Sequence, residues 1–571
     1  MSGKAGKASL SAAGTERGGD FGARTASAHA RTLTLFVLLP LCCLLFAAPH
    51  ARAQALYHNP VIAGDHPDPT VLRVGADYWA MVTTGGWAPS YTILHSVDLV
   101  NWETVGAVFP VKPAWAKGDF WAPELIEDRG SFYLYYTARR DDGAGKKGTL
   151  CVAVATAPRP AGPYTDHGPL VCQEIGSLDA FSLRDEMGQR YLIWKEDGND
   201  RNQPTPIWAQ ALSEDGLRVE GKRRELIRNT AAWERNVVEG PYVLRRAGWY
   251  YLFYSGNACC GRACNYALGV ARSRKLLGPW EKNPANPIVA GNAAWQCPGH
   301  GDIVTTPDGG EFLLYHSYRR AADTFSVGRE AVLDRISWDD KGWPLVNGGA
   351  GPSIDAPTPL AAETAQTGAT TLALAPDFFD GFNAARLDPE WQWPLDNAQD
   401  ERIEAGAGGY LVLTPGRIGA GADEWAGAVL GRRATSGSYE VTAAAIAPNA
   451  PGATAGLSAY GWRGAAVGVA VGGGKVSVWR REGKTQEMLA SAPAPASTQV
   501  FLRLTAERGE LYRFAFSANG RDWRPLGGAV DGGYIEGAHV ALTAGGGAAR
   551  FDWVRIEARA ASRAAAKSAG K

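Results

Sequence analysis

The sequence predicts an all-β protein in which a five-bladed β-propeller precedes a β-sandwich. Three observations lead there. Five segments in the N-terminal part repeat one pattern of apolar strand, Gly-bearing turn and aromatic strand. The C-terminal part alternates polar and apolar residues through seven runs, as strands with one buried face do. The 571 residues also include 70 Gly and 20 Trp with only 20% charged residues, a composition suited to short strands joined by tight turns.

The repeat is explicit. The first segment opens at Asp68 (DPTVLRVGADYWAMVTT) and the second at Ala122 (APELIEDRGSFYLYYTA). The third opens at Asp179 (DAFSLRDEMGQRYLIWK), the fourth at Glu239 (EGPYVLRRAGWYYLFYSG) and the fifth at His300 (HGDIVTTPDGGEFLLYHSY). These starts lie 54, 57, 60 and 61 residues apart. Each segment is followed by a third strand: TILHS, LCVAVA, PIWAQAL, YALGVARS and AVLDRIS. Several units then close on an aromatic turn, such as Asn101-Trp102 or Gly278-Pro279-Trp280. Three to four antiparallel strands repeated five times describe a propeller over residues 59–352. A sandwich over this stretch would leave the regular spacing unexplained.

Propeller geometry turns the repeat into a chemical prediction. The first strand of every blade lines the central axis, so the five starting residues gather at one mouth. Asp68, Asp179, Glu239 and His300 are thereby expected to converge although they are far apart in sequence. Carboxylates held together raise one another's pKa, which is costly unless the site uses them. Asp68 could otherwise be a turn residue in His-Pro-Asp-Pro, and Asp179 a turn or cap. Glu239, between Val238 and Gly240 at a strand start, is badly placed for an unused acid. Trp87 and Trp121 are candidate platforms for a sugar face, with core packing as the alternative.

Residues 353–375 are rich in Ala, Thr and Pro and read as a linker. The sandwich is expected over 376–559, followed by a disordered Ala/Lys-rich tail over 560–571. At the other end, basic residues up to Arg31 precede an apolar run from Leu33 to Ala48. Ala51-Arg52-Ala53 then offers a small-x-small cleavage site, so residues 1–53 are expected to be a signal peptide. An uncleaved anchor is the alternative, although the run is short for a membrane span. The chain is therefore expected to be secreted or periplasmic, and free of the membrane once cleaved. Lys plus Arg equals Asp plus Glu at 58 each, which implies no broad basic surface and argues against nucleic acid as a partner. Oligomeric state is not encoded in any pattern found.

Six cysteines follow the signal: Cys151, Cys172, Cys259, Cys260, Cys264 and Cys297. An even number in an exported chain favours disulfides. Cys151 and Cys172 could bridge the outer strands of one sheet. The pairing of the other four is left open. A zinc site among them is the alternative, without a C-x-x-C pair to support it. The loop carrying Cys259, Cys260 and Cys264 follows the fourth aromatic strand and is a candidate pocket rim.

These residues resemble glycoside hydrolase family 43. The resemblance is carried by GDHPDP at 64–69, WAPE at 121–124, Leu178-Asp179 with its DEMG turn, VEGP at 238–241, PGHG at 298–301 and Gly328-Arg329-Glu330, all in family order. It implies a five-bladed propeller with, in some β-xylosidases, a C-terminal concanavalin A-like domain of the kind the last segment resembles. It also implies an inverting mechanism on arabinose- or xylose-containing plant polysaccharides and oligosaccharides. By position, Asp68 is the general base, Glu239 the general acid and Asp179 the residue that tunes and orients the acid. Inversion needs two carboxyls about 6.5–9.5 Å apart with water between base and sugar. A carboxylate beside Glu239 is expected to raise its pKa and keep it protonated near neutral pH. The resemblance further implies that His300 lies at the channel floor, near the substrate or a water-coordinated ion. Arg329 is implied as a ligand of sugar hydroxyls or of the modulating Asp. No cofactor is required, although relatives often hold calcium in the channel; the sequence has no acidic calcium loop. Two positions depart from the pattern: Ala180, where many relatives have Pro, and Asp302, where many carry a small hydroxyl residue.

The activity expected is exo-acting β-xylosidase or α-L-arabinofuranosidase. An endo-α-1,5-L-arabinanase would share the acids but need an open groove. A non-catalytic carbohydrate-binding propeller would be expected to lack one of the three acids, and this chain keeps all three. A retaining fructan-type propeller is disfavoured, because the sequence around Asp68 lacks that nucleophile motif.

Overall fold

Alternating residues on the repeated strands present their apolar side chains to the two neighbouring blades, and this packing builds the first architecture. A computed structural model of the protein describes residues 55–143, 147–320, 324–360, 377–395, 402–404, 409–416 and 423–559. Expectations for residues 1–53 and 560–571 lie outside the described residues.

Five four-stranded antiparallel sheets follow one another as blades. Their innermost strands are Thr70–Val74, Ala116–Asp128, Ser177–Arg184, Val238–Arg246 and Trp295–Thr305. The aromatic strands come second, at Asp77–Met81, Ser131–Asp141, Arg190–Glu196, Trp249–Gly256 and Glu311–Arg319. Hydrophobic clusters fill the spaces between adjacent blades. Tyr133, Tyr135 and Val152 of the second blade, for example, meet Leu192, Trp194 and Leu212 of the third. The last blade meets the first through Val304, Phe312 and Leu333 against Val71, Tyr78 and Leu94.

The ring is closed by a short ladder that sequence did not reveal. Leu56–His58 pairs antiparallel with Asp355–Pro357. Tyr57 Oη and Asn59 Nδ2 donate to the Leu333 carbonyl at 2.6 and 2.9 Å. The linker expected from Ser353 therefore starts later than composition suggested. Pro-containing composition at Asp355–Pro357 hides a strand whose pairing is supplied from the far end of the propeller.

The sandwich stacks a six-stranded sheet on an eight-stranded one. Val441, Ala443, Leu502 and Leu504 of one sheet pack on Leu457, Val469, Val478 and Leu542 of the other. It also packs on the propeller. Trp393–Pro394 pairs antiparallel with Trp87–Ala88, and Ala538 N donates to Ser326 O at 2.6 Å.

Candidate active site

The inner strands are irregular at their starts. The ladder slips beside Leu178/Phe181, Glu239/Tyr242 and Gln296/Gly299, where a bulge turns side chains toward the axis. Left-handed backbone marks the same level in every blade: Asp68 (φ 53°), Ala122 (43°), Asp179 (56°), Gly240 (59°) and His300 (46°). Gly240, not Glu239, is thus the structural equivalent of the other four starts. Glu239 precedes it by one residue and enters the same cavity.

The side chains named from sequence meet in one cavity of about 1280 Å³. Asp68, Trp87, Trp121, Asp179, Glu239, His300 and Arg329 all line it. Asp68 is 8% exposed. Its Oδ1 lies 3.1 Å from Arg329 Nη1, 3.2 Å from His316 Nδ1 and 3.5 Å from His300 Nδ1. Thr83 Oγ1 donates to its Oδ2 at 2.7 Å. Burial pushes the Asp68 carboxyl up, but the Arg329 guanidinium and His300 pull it well below the usual range, so it is ionised. His316, pushed down to about 4 by burial, is neutral, and its Nδ1 accepts the Asp68 amide. Arg329 therefore pairs with the base, not with the modulating Asp that the resemblance offered as one partner.

Across the cavity, Lys195 Nζ donates to Glu239 Oε2 at 2.7 Å and lies 3.3 Å from Asp197 Oδ1. Glu239 does not have the raised pKa expected from sequence. Burial raises it, but the Lys195 ammonium, joined by His300 and Tyr266, offsets this and holds the carboxyl below its ordinary value. Asp179 is the lifted acid. Burial, with Glu239 and Asp68 as neighbouring charges, pushes it to about 6 against the pull of His300 and Lys195. Its Oδ2 accepts the Gly240 amide at 3.0 Å, tying it to the backbone next to Glu239. His300 is raised because Asp68, Asp179 and Glu239 outweigh its burial.

Trp121 lines the cavity half-buried. Trp87 is committed to packing: its ring stacks on His539 of the sandwich at 3.7 Å and meets Tyr460 edge-on at 5.7 Å. It nevertheless lines the cavity, with 8% of its surface exposed, so packing and pocket lining, the two alternatives sequence offered, are both met. Asp302 turns away from the cavity, accepting the Val71 amide at 3.2 Å. It shares a hydrogen bond with buried Glu124, and burial lifts Asp302 to about 6. No group of three or more His, Cys, Asp or Glu suited to a metal occurs among the described residues. Asp68, the carboxylate nearest His300, is already met by a guanidinium and two imidazoles, so the residues present do not fit a calcium ion in the channel.

Lys195, His316, Thr83 and Tyr266 were not singled out from sequence. A signal existed. Every aromatic second strand carries at least one buried polar residue, among them Thr83 just beyond the first, then Thr137, Lys195, Ser255 and His316. Four of them accept the amide of the next blade's start. Thr83 takes Ala122 N at 2.7 Å, Thr137 takes Asp179 N at 3.1 Å, Ser255 takes His300 N at 2.8 Å and His316 takes Asp68 N at 3.1 Å. Lys195 has no acceptor to offer. There Asp179 accepts the Gly240 amide instead, and the lysine is released to Glu239.

Three disulfides join Cys151 to Cys172, Cys259 to Cys260 and Cys264 to Cys297. This leaves none of the six for zinc.

The sandwich completes the cavity with Tyr460, Trp462, Arg463, Arg481 and Glu536. The class so defined is a five-bladed propeller protein with a carboxylate-lined axial pocket walled by a C-terminal sandwich. Residues 57–344 match the family model described as glycosyl hydrolases family 43, and residues 379–557 match the β-xylosidase C-terminal concanavalin A-like domain. The chain belongs to glycosyl hydrolase family 43. It is 33% identical over 323 residues to xylosidase/arabinosidase 43B of Humicola insolens, covering 53% of this chain and 57% of that protein. It is 30% identical over 362 residues to a putative β-xylosidase of Escherichia coli (strain K12), covering 58% of this chain and 64% of that one. The chain thus matches somewhat over half the length of these relatives. The crystal structure of the GH43 protein BlXynB from Bacillus licheniformis superposes with a TM-score of 0.72 at 25% identity, over 88% of this chain and all of that one.

Proposed function

We propose that the protein is an exported, exo-acting, inverting glycoside hydrolase that removes xylosyl or arabinofuranosyl units from plant oligosaccharides and polysaccharides. One observation carries the chemistry. Asp68 is held ionised by three cationic or hydrogen-bonding partners, while Asp179 and Glu239 form a second acidic pair in the same cavity. The lifted carboxyl of that pair is Asp179, tied to the backbone beside Glu239, so the proton for the acid step is held next to Glu239 while Asp68 stays ionised.

In this scheme Asp68 takes a proton from water as that water attacks the anomeric carbon. Arg329, His300 and Thr83 keep the base ionised and aimed. Glu239 gives a proton to the leaving oxygen. It must first exchange its Lys195 partner for that oxygen and receive the proton that the Asp179–Glu239 pair retains. Side chains and water supply every step. The wall contributed by the sandwich supports a closed pocket over the open groove of an arabinanase. Export is supported by the apolar run at 33–48 and by the three disulfides. No helix among the described residues is long and apolar enough to cross a membrane.

The test is turnover of aryl β-xyloside, aryl α-arabinofuranoside and linear arabinan, with proton NMR of the first-formed anomer. Release of single pentoses with inverted configuration is expected. Glu239→Gln should lower kcat on the disaccharide by about 10²–10⁴-fold, the usual worth of a positioned acid. A retained anomer, or full activity in Glu239→Gln, would overturn the assignment.

A further inference from the structure

The loop from Asn257 to Cys264 holds a feature that hydrolysis alone does not account for. Adjacent Cys259 and Cys260 are joined to each other, and both line the cavity that contains the three acids. A bond between neighbours closes no length of chain, so it removes almost no entropy from the unfolded state. The loop is also fastened by other means. Cys264–Cys297 ties it to the inner strand of the fifth blade, three residues before His300. Arg262 Nη2 donates to Gly533 O at 2.6 Å and to Glu510 Oε1 at 3.1 Å on the sandwich. Asn265 N closes back on Ala258 O at 3.1 Å. Stapling is thus already provided at both ends, and the adjacent pair is left facing the pocket.

Its position fixes which part of the pocket it faces. The loop starts two residues beyond Ser255, and Ser255 is the cross-strand partner of Glu239. Cys259 packs on the cluster of Cys264, Tyr266, Cys297 and Tyr318, and Tyr266 neighbours Glu239, so the pair sits on the acid's side of the cavity, where the leaving oxygen is protonated. Two linked sulfurs and their methylenes offer a polarisable surface without strong hydrogen-bond donors. That surface suits the C–H face of a pentose, as an aromatic ring would.

We propose that the Cys259–Cys260 disulfide is a sugar-contacting surface on the leaving-group side of the pocket, packing against the residue from which the terminal pentose is cleaved. The proposal rests on Glu239 as the acid. The test compares wild type with Cys259→Ser/Cys260→Ser, and with wild type treated with a water-soluble phosphine. In that reaction phosphorus takes oxygen from water while the two sulfurs become thiols. Cys264 and Cys297 are 3% and 2% exposed, whereas Cys259 and Cys260 are half-buried and Cys172 is exposed. Treatment therefore opens the adjacent pair and the Cys151–Cys172 bridge before Cys264–Cys297, and Cys151→Ser/Cys172→Ser treated alike is the control for the second bridge. Alkylation and peptide mass mapping verify this.

Substrates are xylobiose, α-1,5-arabinobiose and the corresponding glycosyl fluorides, whose leaving group is a single atom. KM for the preferred disaccharide is expected to rise about tenfold, the size of losing one apolar sugar contact, with kcat nearly unchanged. KM for the fluoride should stay put. Equal effects on disaccharide and fluoride would mean a merely structural loop and overturn the proposal, as would no effect on either. If wild type turns over neither sugar, the proposed function fails. Calorimetric titration of the oxidised and reduced protein with both disaccharides then still reads the contact. Weaker binding after reduction supports it; equal binding, or none in either state, refutes it.

Discussion

Lys195 is the side chain on which the acid's behaviour turns. It is 1% exposed, and its ammonium is paid for by Glu239 and Asp197. Replacing it with Met removes the pull that keeps Glu239 low, leaving burial and Asp179 to raise it. Lys195→Met should therefore move the basic limb of the kcat/KM profile to higher pH, read with an aryl glycoside between pH 4 and 9. An unmoved limb would mean that the lysine does not set the acid's pKa. Asp179 carries the opposite strain. Its folded-state value of about 6 lies above the ordinary aspartate value of 3.8, so the ionised form is disfavoured by folding. Asp179→Asn keeps an oxygen for the Gly240 amide and removes the charge. It should raise the melting temperature at pH 7 while abolishing activity. The gain should shrink as pH falls from 6 toward 3.8, where the wild-type carboxyl takes up its own proton in the folded state. A constant gain across that range would contradict the assignment.

At the scale of the strand, the acids are positioned by backbone more than by side-chain packing. Four inner-strand starts hand their amides to a polar residue on the preceding blade, and left-handed φ values turn each start inward. Gly240 is where glycine matters most. Its φ is +59°, and a Cβ there would lie 3.0 Å from the His300 ring. Gly240→Ala should cost about 1–2 kcal/mol from the left-handed backbone alone. It should also lower kcat by displacing His300 and Glu239 together, measured by melting and by steady-state rates. Wild-type values for both would show that the site tolerates a side chain there. The blades themselves were legible because each repeat writes its own turn and aromatic strand. The convergence of Asp68, Asp179, Glu239 and His300 followed from that period. The one-residue offset between Glu239 and the true fourth start was not legible, because a bulge changes alignment without changing residue type. Lys195 and His316 were hidden for a related reason. Each shares its aromatic strand with another buried polar residue, Arg190 or Ser317, and its meaning comes from the neighbouring blade it touches.

At the scale of the whole molecule, the question is what the sandwich does for a propeller that already carries the acids. Composition marked a boundary near residue 352 but could not show that Asp355–Pro357 closes the ring. Nor could it show that Trp87, which follows the first blade's second strand, is packed by His539 and Tyr460. Both facts depend on contacts between distant parts of the chain. They also decide how separation should be tested. A chain ending at Pro352 would lose ring closure and sandwich together and could not tell them apart. One ending at Leu360 keeps the closing strand and removes only the sandwich. It uncovers Trp87, leaves Tyr318 Oη without its 2.6 Å bond to Glu536, and opens the cavity wall at Trp462 and Arg463. We expect the shortened chain to melt lower and to lose about 10²-fold in kcat/KM on a disaccharide, as positioned groups lose their support. Activity on the glycosyl fluoride should fall less, because Asp68, Asp179 and Glu239 all come from the propeller. Equal loss on both substrates would instead mean that the sandwich acts through the stability of the ring, and unchanged kinetics would show that it is not part of the pocket at all.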